Sequence, residues 1–126
     1  MGVGRPTHVT GIIGCGTIGR YLAGLAVAMG MAVDVADPFA SVSLPGVEQV
    51  SLDTLLARCD FVVCLAVANA QTENLMNAQA FASMKRSAFF INASRGELVD
   101  EAALLAALEQ GLIAGAALDV GREADQ

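Results

Sequence analysis

Two groups of residues in this 126-residue chain have the types and spacing for chemistry. The first is Gly14-Cys15-Gly16-Thr17-Ile18-Gly19, with Asp37 standing 18 residues beyond the last glycine. A GxGxxG alone is a weak signal. Set between a strand and an amphipathic helix, and followed by a second strand that ends in an acid, it predicts a dinucleotide's phosphate loop. Gly14 permits the tight turn, Gly16 lets a pyrophosphate approach the backbone, and Gly19 allows the helix to pack closely on the strand. The amides that open the helix, Thr17 and Ile18 among them, then face the anion from the positive end of the helix dipole. Asp37 can accept hydrogen bonds from ribose hydroxyls and would repel a 2′-phosphate. The next basic residue along the chain is Arg58. NAD is therefore expected over NADP. The plainer alternative is a glycine turn that only packs a helix on a sheet, with Asp37 an ordinary strand-end acid.

The second group is Ile91-Asn92-Ala93-Ser94-Arg95-Gly96-Glu97-Leu98-Val99-Asp100. It puts an arginine in a loop just after a strand, at the carboxyl edge where open α/β sheets bind their ligands. A guanidinium there can grip a substrate carboxylate through two parallel hydrogen bonds and can polarise a carbonyl as hydride arrives. A solvent-facing loop arginine is the alternative.

The elements that must position these groups alternate in type. Val9 to Ile13 is a short strand. Thr17 to Met29 carries apolar residues at 18, 21, 22, 25, 26 and 29, a helical spacing, with Gly30 after its end. Met31 to Ala36 is a second strand, and a short one is expected near Val47-Val50. Ser51 can cap a helix over Leu52 to Arg58. Phe61 to Val67 is an unbroken apolar run, as for a strand covered on both faces. Thr72 to Met84 is expected to be helical in two pieces, and Ala88 to Ile91 extended. Asp100 caps a helix over Glu101 to Gln110, and Ile113 to Val120 is the last strand. This order predicts a Rossmann-type, doubly wound α/β fold: a mostly parallel sheet of five or six strands with helices on both faces.

Composition narrows the partners. Seven basic residues against 13 acidic ones give a net charge of −6, which argues against nucleic acid because phosphate contact needs a basic face. An apolar content of 55% excludes disorder. No apolar run approaches the roughly 18–20 residues of a membrane span, so no membrane partner is expected. Cys15, Cys59 and Cys64 form no CxxC pair, and His8 is the single histidine, so neither a metal site nor a disulfide framework is expected. Free thiols and the lack of a signal-peptide core predict a cytoplasmic protein.

With these residues in view, the chain resembles the NAD-binding domain of the D-2-hydroxyacid dehydrogenase family. GIIGCGTIGR (11–20), Asp37-Pro38, LDTLLARCDFVV (52–63), NASRGELVDEAALLAAL (92–108) and GAALDV (115–120) carry the resemblance, in the family's order and spacing. It implies cofactor contacts from Gly14, Gly16, Thr17, Ile18, Gly19 and Asp37, and from Val67 and Thr72 on the adenosine and phosphate side. It further implies contacts from Ala93, Ser94 and Arg95 beside the nicotinamide, and from Asp119 to the carboxamide. Arg95 matches the catalytic, substrate-binding arginine. The implied substrate of a full-length enzyme is a small 2-keto or 2-hydroxy acid. In that family the cofactor domain also makes dimer contacts, which implies a homodimer or self-association.

The departures bear on activity. The family's catalytic His lies one strand beyond the LDV segment, and His8 matches no catalytic position; His8 is expected to be an exposed leader residue. The acid partner of that His falls on Glu123 or Asp125, with Asp125 preferred, since ungapped counting reaches Ala124. Leu65 and Val67 stand where the family often has His and Pro. Residues 1–8 are thus expected to be a leader and 9–126 a dinucleotide-binding domain, incomplete at its C-terminal end and without a substrate domain. Such a chain would bind NAD weakly and turn over nothing alone. A non-catalytic nucleotide-sensing or partner-binding module is the alternative function. A relative of S-adenosylhomocysteine hydrolase is a third, which SRGELVD disfavours.

Overall fold

The computed structural model describes residues 8–118. Its strands are β1 (Val9–Ile13), β2 (Ala32–Ala36), β3 (Val47–Gln49), β4 (Phe61–Cys64), β5 (Phe89–Asn92) and β6 (Gly115–Leu118). They form one parallel sheet in the order β3-β2-β1-β4-β5-β6. The chain winds outward one way from β1 through β2 to β3, then crosses back to β4. That reversal opens a crevice at the carboxyl ends of β1 and β4, where doubly wound sheets take ligands.

Among the described residues four helices cover the sheet: α1 (Thr17–Ala28), α2 (Leu52–Arg58), α3 (Ala78–Ser83) and α4 (Glu101–Glu109). The α1 face is held by small residues. Gly19, Ala23 and Ala26 are its buried positions and pack near Ile12, Val33 and Val35. The larger members of the apolar pattern behave differently from the expectation of a core stripe. Ile18, Tyr21 and Met29 are more than 70% exposed. Small residues bring the helix close to the sheet, with Leu22 and Val27 packed at the edge of that contact and Ile18, Tyr21 and Met29 left on the outer side. On the opposite face α2, α3 and α4 bury Leu55, Leu56, Phe81 and Leu104 against Ile13, Val62 and Phe90. Phe81 meets Phe90 edge to face at 5.4 Å.

Caps fix where the helices begin. The side chains of Ser51, Asn77 and Asp100 accept from the amides of Thr54, Ala80 and Ala103 and so satisfy donors that a helix start leaves open. The Asn77 cap corrects the expectation of a helix from Thr72. Residues 70–74 are turns, with Asn74 at a φ of +52°, and Met76 bridges to Val99 instead. The β4 strand is also shorter than its apolar run. It leaves the sheet after Cys64, so Leu65, Ala66 and Val67 become a loop at the crevice. The last strand begins at Gly115 rather than Ile113, and Val120 lies outside the described residues.

Two acids, Asp34 buried and Asp60 partly buried, pin the strands. Arg58 at the end of α2 reaches Asp34 on β2 with two nitrogens, at 2.5 and 2.7 Å, and Glu48 on β3 at 2.9 Å. The Asp34 side chain is 4% exposed. Removing its partner strands a buried carboxylate, whereas the half-exposed guanidinium has only water to regain. Arg58→Ala is therefore expected to lower the unfolding free energy by about 2 kcal/mol, with Arg58→Lys recovering part of it, as read by urea denaturation. On the other side of β1, Asp60 accepts from the Val9 amide at 2.8 Å and from Lys85 Nζ at 2.6 Å. Burial alone would push this carboxyl up. The Lys85 and Val9 bonds outweigh it and hold the group below its ordinary value.

Candidate dinucleotide site

The site begins at the end of β1. Gly14 has a φ of +85°, and a Cβ there would lie 2.6 Å from Ala66 Cα. Only glycine fits both conditions. Its amide donates to Ala36 O at 2.8 Å, which ties the turn to the end of β2. The next amide, that of Cys15, donates to Asp37 Oδ2 at 2.9 Å, and the Phe39 amide donates to Asp37 Oδ1 at 2.9 Å. The Asp37 carboxylate is thus fixed in orientation by two backbone donors. Each oxygen keeps a lone pair for a further donor.

Gly16 is the N-cap of α1 and offers no side-chain cap. A Cβ on it would meet nothing within 4 Å. The helix start is therefore backed by bare backbone and opens on free space, where an anion can approach the amides. At Gly19 a Cβ would come within 3.0 Å of Gly14 O, so this glycine serves the close approach of helix and loop.

Beside the turn lies a crevice of about 700 Å³, within the range of small-molecule sites. Gly14, Gly16, Asp37, Val67 and Thr72 all line it, as the sequence groups them. Its far wall is apolar, with Phe39, Val50, Leu52 and Leu75. The Thr72 hydroxyl donates to Val67 O at 2.8 Å and accepts from the Asn69 amide at 2.8 Å. Its polar atom is committed to shaping the 67–72 turn. Burial beneath the loop pushes the Cys15 thiol up from its ordinary value.

The second sequence group follows β5 on the same edge. The Ala93 amide donates to Cys64 O at 3.1 Å, and Ser94 Oγ donates to Ala66 O at 2.5 Å. Ala66 also lines the crevice. Ser94 is therefore tied to the crevice wall and Ala93 to the end of β4, and neither lines the crevice itself. Arg95 begins a 3-10 turn over Gly96–Leu98, and its side chain is 57% exposed with Glu97 Oε2 at 3.3 Å from a guanidinium nitrogen. Thr17 and Ile18 open α1 beside the crevice, also outside its lining. Asp119, Glu123 and Asp125 lie outside the described residues. His8 is exposed, and its ring lies 5.8 Å from that of Phe61.

Four residues contribute to the site in ways that a reading of the sequence misses. Asn92 is buried at the end of β5, where Oδ1 accepts from the Ser94 amide and Nδ2 donates to Arg95 O, so it shapes the loop that presents Arg95. An Asn at a strand's end with a Ser two residues on is a turn signal that could have disclosed it. Gln49 on β3 holds the segment after Asp37, and no spacing marks it. Ser51 and Leu52 line the crevice from the start of α2, which their capping role conceals.

The bare glycine at the helix start, the oriented carboxylate and the apolar wall fit a diphosphate, a ribose and an adenine in that order. Comparison with known proteins agrees. Residues 3–125 match the family described as D-isomer specific 2-hydroxyacid dehydrogenase, NAD binding domain. D-3-phosphoglycerate dehydrogenase of Synechocystis sp. is 44% identical over 113 residues, covering 87% of this chain and 20% of that protein. D-lactate dehydrogenase with NAD+ from Lactobacillus jensenii superposes with a TM-score of 0.88 at 38% identity, covering 94% of this chain and 36% of that one. A D-lactate dehydrogenase from Sporolactobacillus sp. gives 0.90 at 40% identity, with 99% and 38% covered. The chain spans about a fifth of the length of the first of these relatives. It belongs to the D-isomer specific 2-hydroxyacid dehydrogenase family, of which it is an NAD-binding domain.

Proposed function

We propose that this domain holds NAD(H) for an enzyme that transfers hydride between the cofactor and a small 2-keto or 2-hydroxy acid. The bond from the Cys15 amide to Asp37 carries the reading. It joins the glycine loop to the acid that follows β2 at the rim of one crevice, so diphosphate and ribose groups are set by one bonded unit. Gly14, Gly16, Thr17, Ile18 and Gly19 form the diphosphate end, and Asp37 takes the adenosine ribose. Val67 and Thr72 wall the crevice. Ala93, Ser94 and Asp119 are assigned to the nicotinamide end. The cofactor, when bound, supplies the hydride.

The chain's own part is orientation and charge. Arg95 grips the substrate carboxylate and polarises its carbonyl. Glu97 Oε2 lies 3.3 Å from one of its nitrogens, and the planar fork of the guanidinium has the geometry that pairs with a carboxylate. Asp125 is assigned as the acid partner of a histidine supplied by the longer enzyme, where it would raise that group's pKa. A carboxylate at Asp37 held by two backbone amides, with no Lys or Arg in residues 38–42, supports NAD over NADP.

Two further readings accompany this. No helix among the described residues is long and apolar enough to cross a membrane, and the three cysteines are free and buried, which supports a cytoplasmic location. On the α1 side of β4, β5 and β6, Phe61 and Phe89 stack at 6.1 Å, and Phe89 is 44% exposed. An open apolar sheet face supports self-association or a homodimer.

Asp37→Ala tests the assignment. It removes two charge-assisted bonds to ribose and frees the Cys15 amide, so NAD affinity is expected to fall about 30-fold, or about 2 kcal/mol, with a smaller loss for NADP. Titration calorimetry with both nucleotides reads the outcome. An unchanged NAD/NADP ratio would take Asp37 out of this role.

A further inference from the structure

We infer that Gln49, on β3, is a positioning residue for the adenosine half of the cofactor, an inference that rests on the nucleotide reading above. The segment 38–43 after Asp37 makes no backbone–backbone hydrogen bond among the described residues. It is nevertheless the outer wall of the crevice, through Pro38, Phe39 and Ala40. Side chains hold it at both ends. Asp37 takes the Phe39 amide. Gln49 does the rest with a single carboxamide. Its Oε1 accepts from the Val42 amide at 2.9 Å, and its Nε2 donates to Ala40 O at 2.9 Å and to Asp37 O at 3.2 Å.

The chemistry of this clasp is specific to a primary amide. One acceptor and two donors meet one amide and two carbonyls, so every polar atom of the side chain is used. A carboxylate would place oxygen against two carbonyl oxygens, and an apolar side chain would satisfy none. The β3 pairing aligns Gln49 with Val35, two residues before Asp37, so the side chain lies alongside the segment it binds. The clasp sets the Asp37 backbone and the Phe39–Ala40 wall together. These are the two parts of the crevice that a ribose and an adenine would touch. Affinity then depends on how far the wall is ordered before binding, since a loose wall must be ordered at the expense of affinity.

The test uses the 126-residue chain, titrated with NAD and with ADP-ribose, in wild type, Gln49→Ala and Gln49→Glu. Gln49→Ala is expected to weaken both ligands about fivefold and by the same factor, because both carry the adenosine half. Gln49→Glu is expected to weaken them at least as much, although it keeps the length of the side chain. Hydrogen exchange is followed in parallel: the Val42 amide is expected to lose protection in Gln49→Ala, while amides of β1 and β4 keep theirs. A purely structural clasp would give a different pattern, with Val42 deprotected and both affinities unchanged, and that result overturns the inference. Equal affinity in all three proteins with Val42 still protected overturns it too. If the wild type itself binds neither ligand, the failure lies with the nucleotide reading, and the role of Gln49 falls with it.

Discussion

Arg95→Ala, made in a full-length enzyme that carries this domain, is expected to lower kcat/KM for the keto acid about a thousandfold, close to 4 kcal/mol of transition-state stabilisation. The affinity for NADH is expected to change less than about twofold, which is within the additive error for groups that do not touch. The separation follows from the structure. Arg95 does not line the crevice, and its loop is built by other residues. Asn92 binds the Arg95 carbonyl and the Ser94 amide, and Ser94 is anchored on Ala66. Truncating the exposed side chain leaves that scaffold intact, so the loss falls on the substrate step. Steady-state kinetics with varied keto acid, set beside an NADH titration, measures both halves. Wild-type turnover in the variant would remove Arg95 from the mechanism. A large loss of NADH affinity would move it to the cofactor.

Gly16→Val is expected to reduce NAD affinity about a hundredfold, or about 2.7 kcal/mol, while changing stability by less than about 1 kcal/mol. The reason for so clean a separation is local. Gly16 has a φ of −86°, outside the left-handed region that favours glycine. Its Cβ would meet no protein atom within 4 Å. A side chain here therefore starts into open space at the helix N-terminus, where the diphosphate is placed. Gly14 offers the contrast. There a side chain meets both a positive φ and the Ala66 backbone, and substitution would disturb the fold before it disturbed binding. Calorimetry for binding and thermal unfolding for stability suffice. Retained NAD affinity in a folded Gly16→Val would refute the diphosphate assignment.

The parts of the molecule that a reading of the residues anticipates are those where local chemistry and fold agree. The β1–α1–β2 unit, with its glycine loop and terminal acid, carries turn, period and charge signals together, and β1 falls at Val9–Ile13 as expected. Ser51 and Asp100 cap helices as their side chains allow. Agreement fails where tertiary contacts decide. The apolar run 61–67 looks like one strand, yet the sheet stops pairing it after Cys64, and the remainder walls the crevice. Residues 72–77 have helical composition, but Thr72 is drawn into side-chain bonds with Asn69, and Asn77 starts the helix later. The bulky stripe on α1 has the period of a buried face, although packing selects the smaller residues. Gln49 leaves no trace in a pattern, because its role arises only when β3 lies beside the 38–42 segment. Asp119 and the Glu123/Asp125 pair fall outside the described residues.

The most direct examination of the account is residue-resolved. Backbone amide spectra of the labelled chain would be recorded as NAD is added to millimolar concentration. The prediction is saturable shifts centred on Gly14–Gly19, on Asp37–Ala40 and on the 66–72 turn, with the Phe61–Phe89 face unmoved. Absence of shifts at the glycine loop in a folded sample, or shifts gathered on the Phe61–Phe89 face instead, would contradict the placement of the dinucleotide in this crevice.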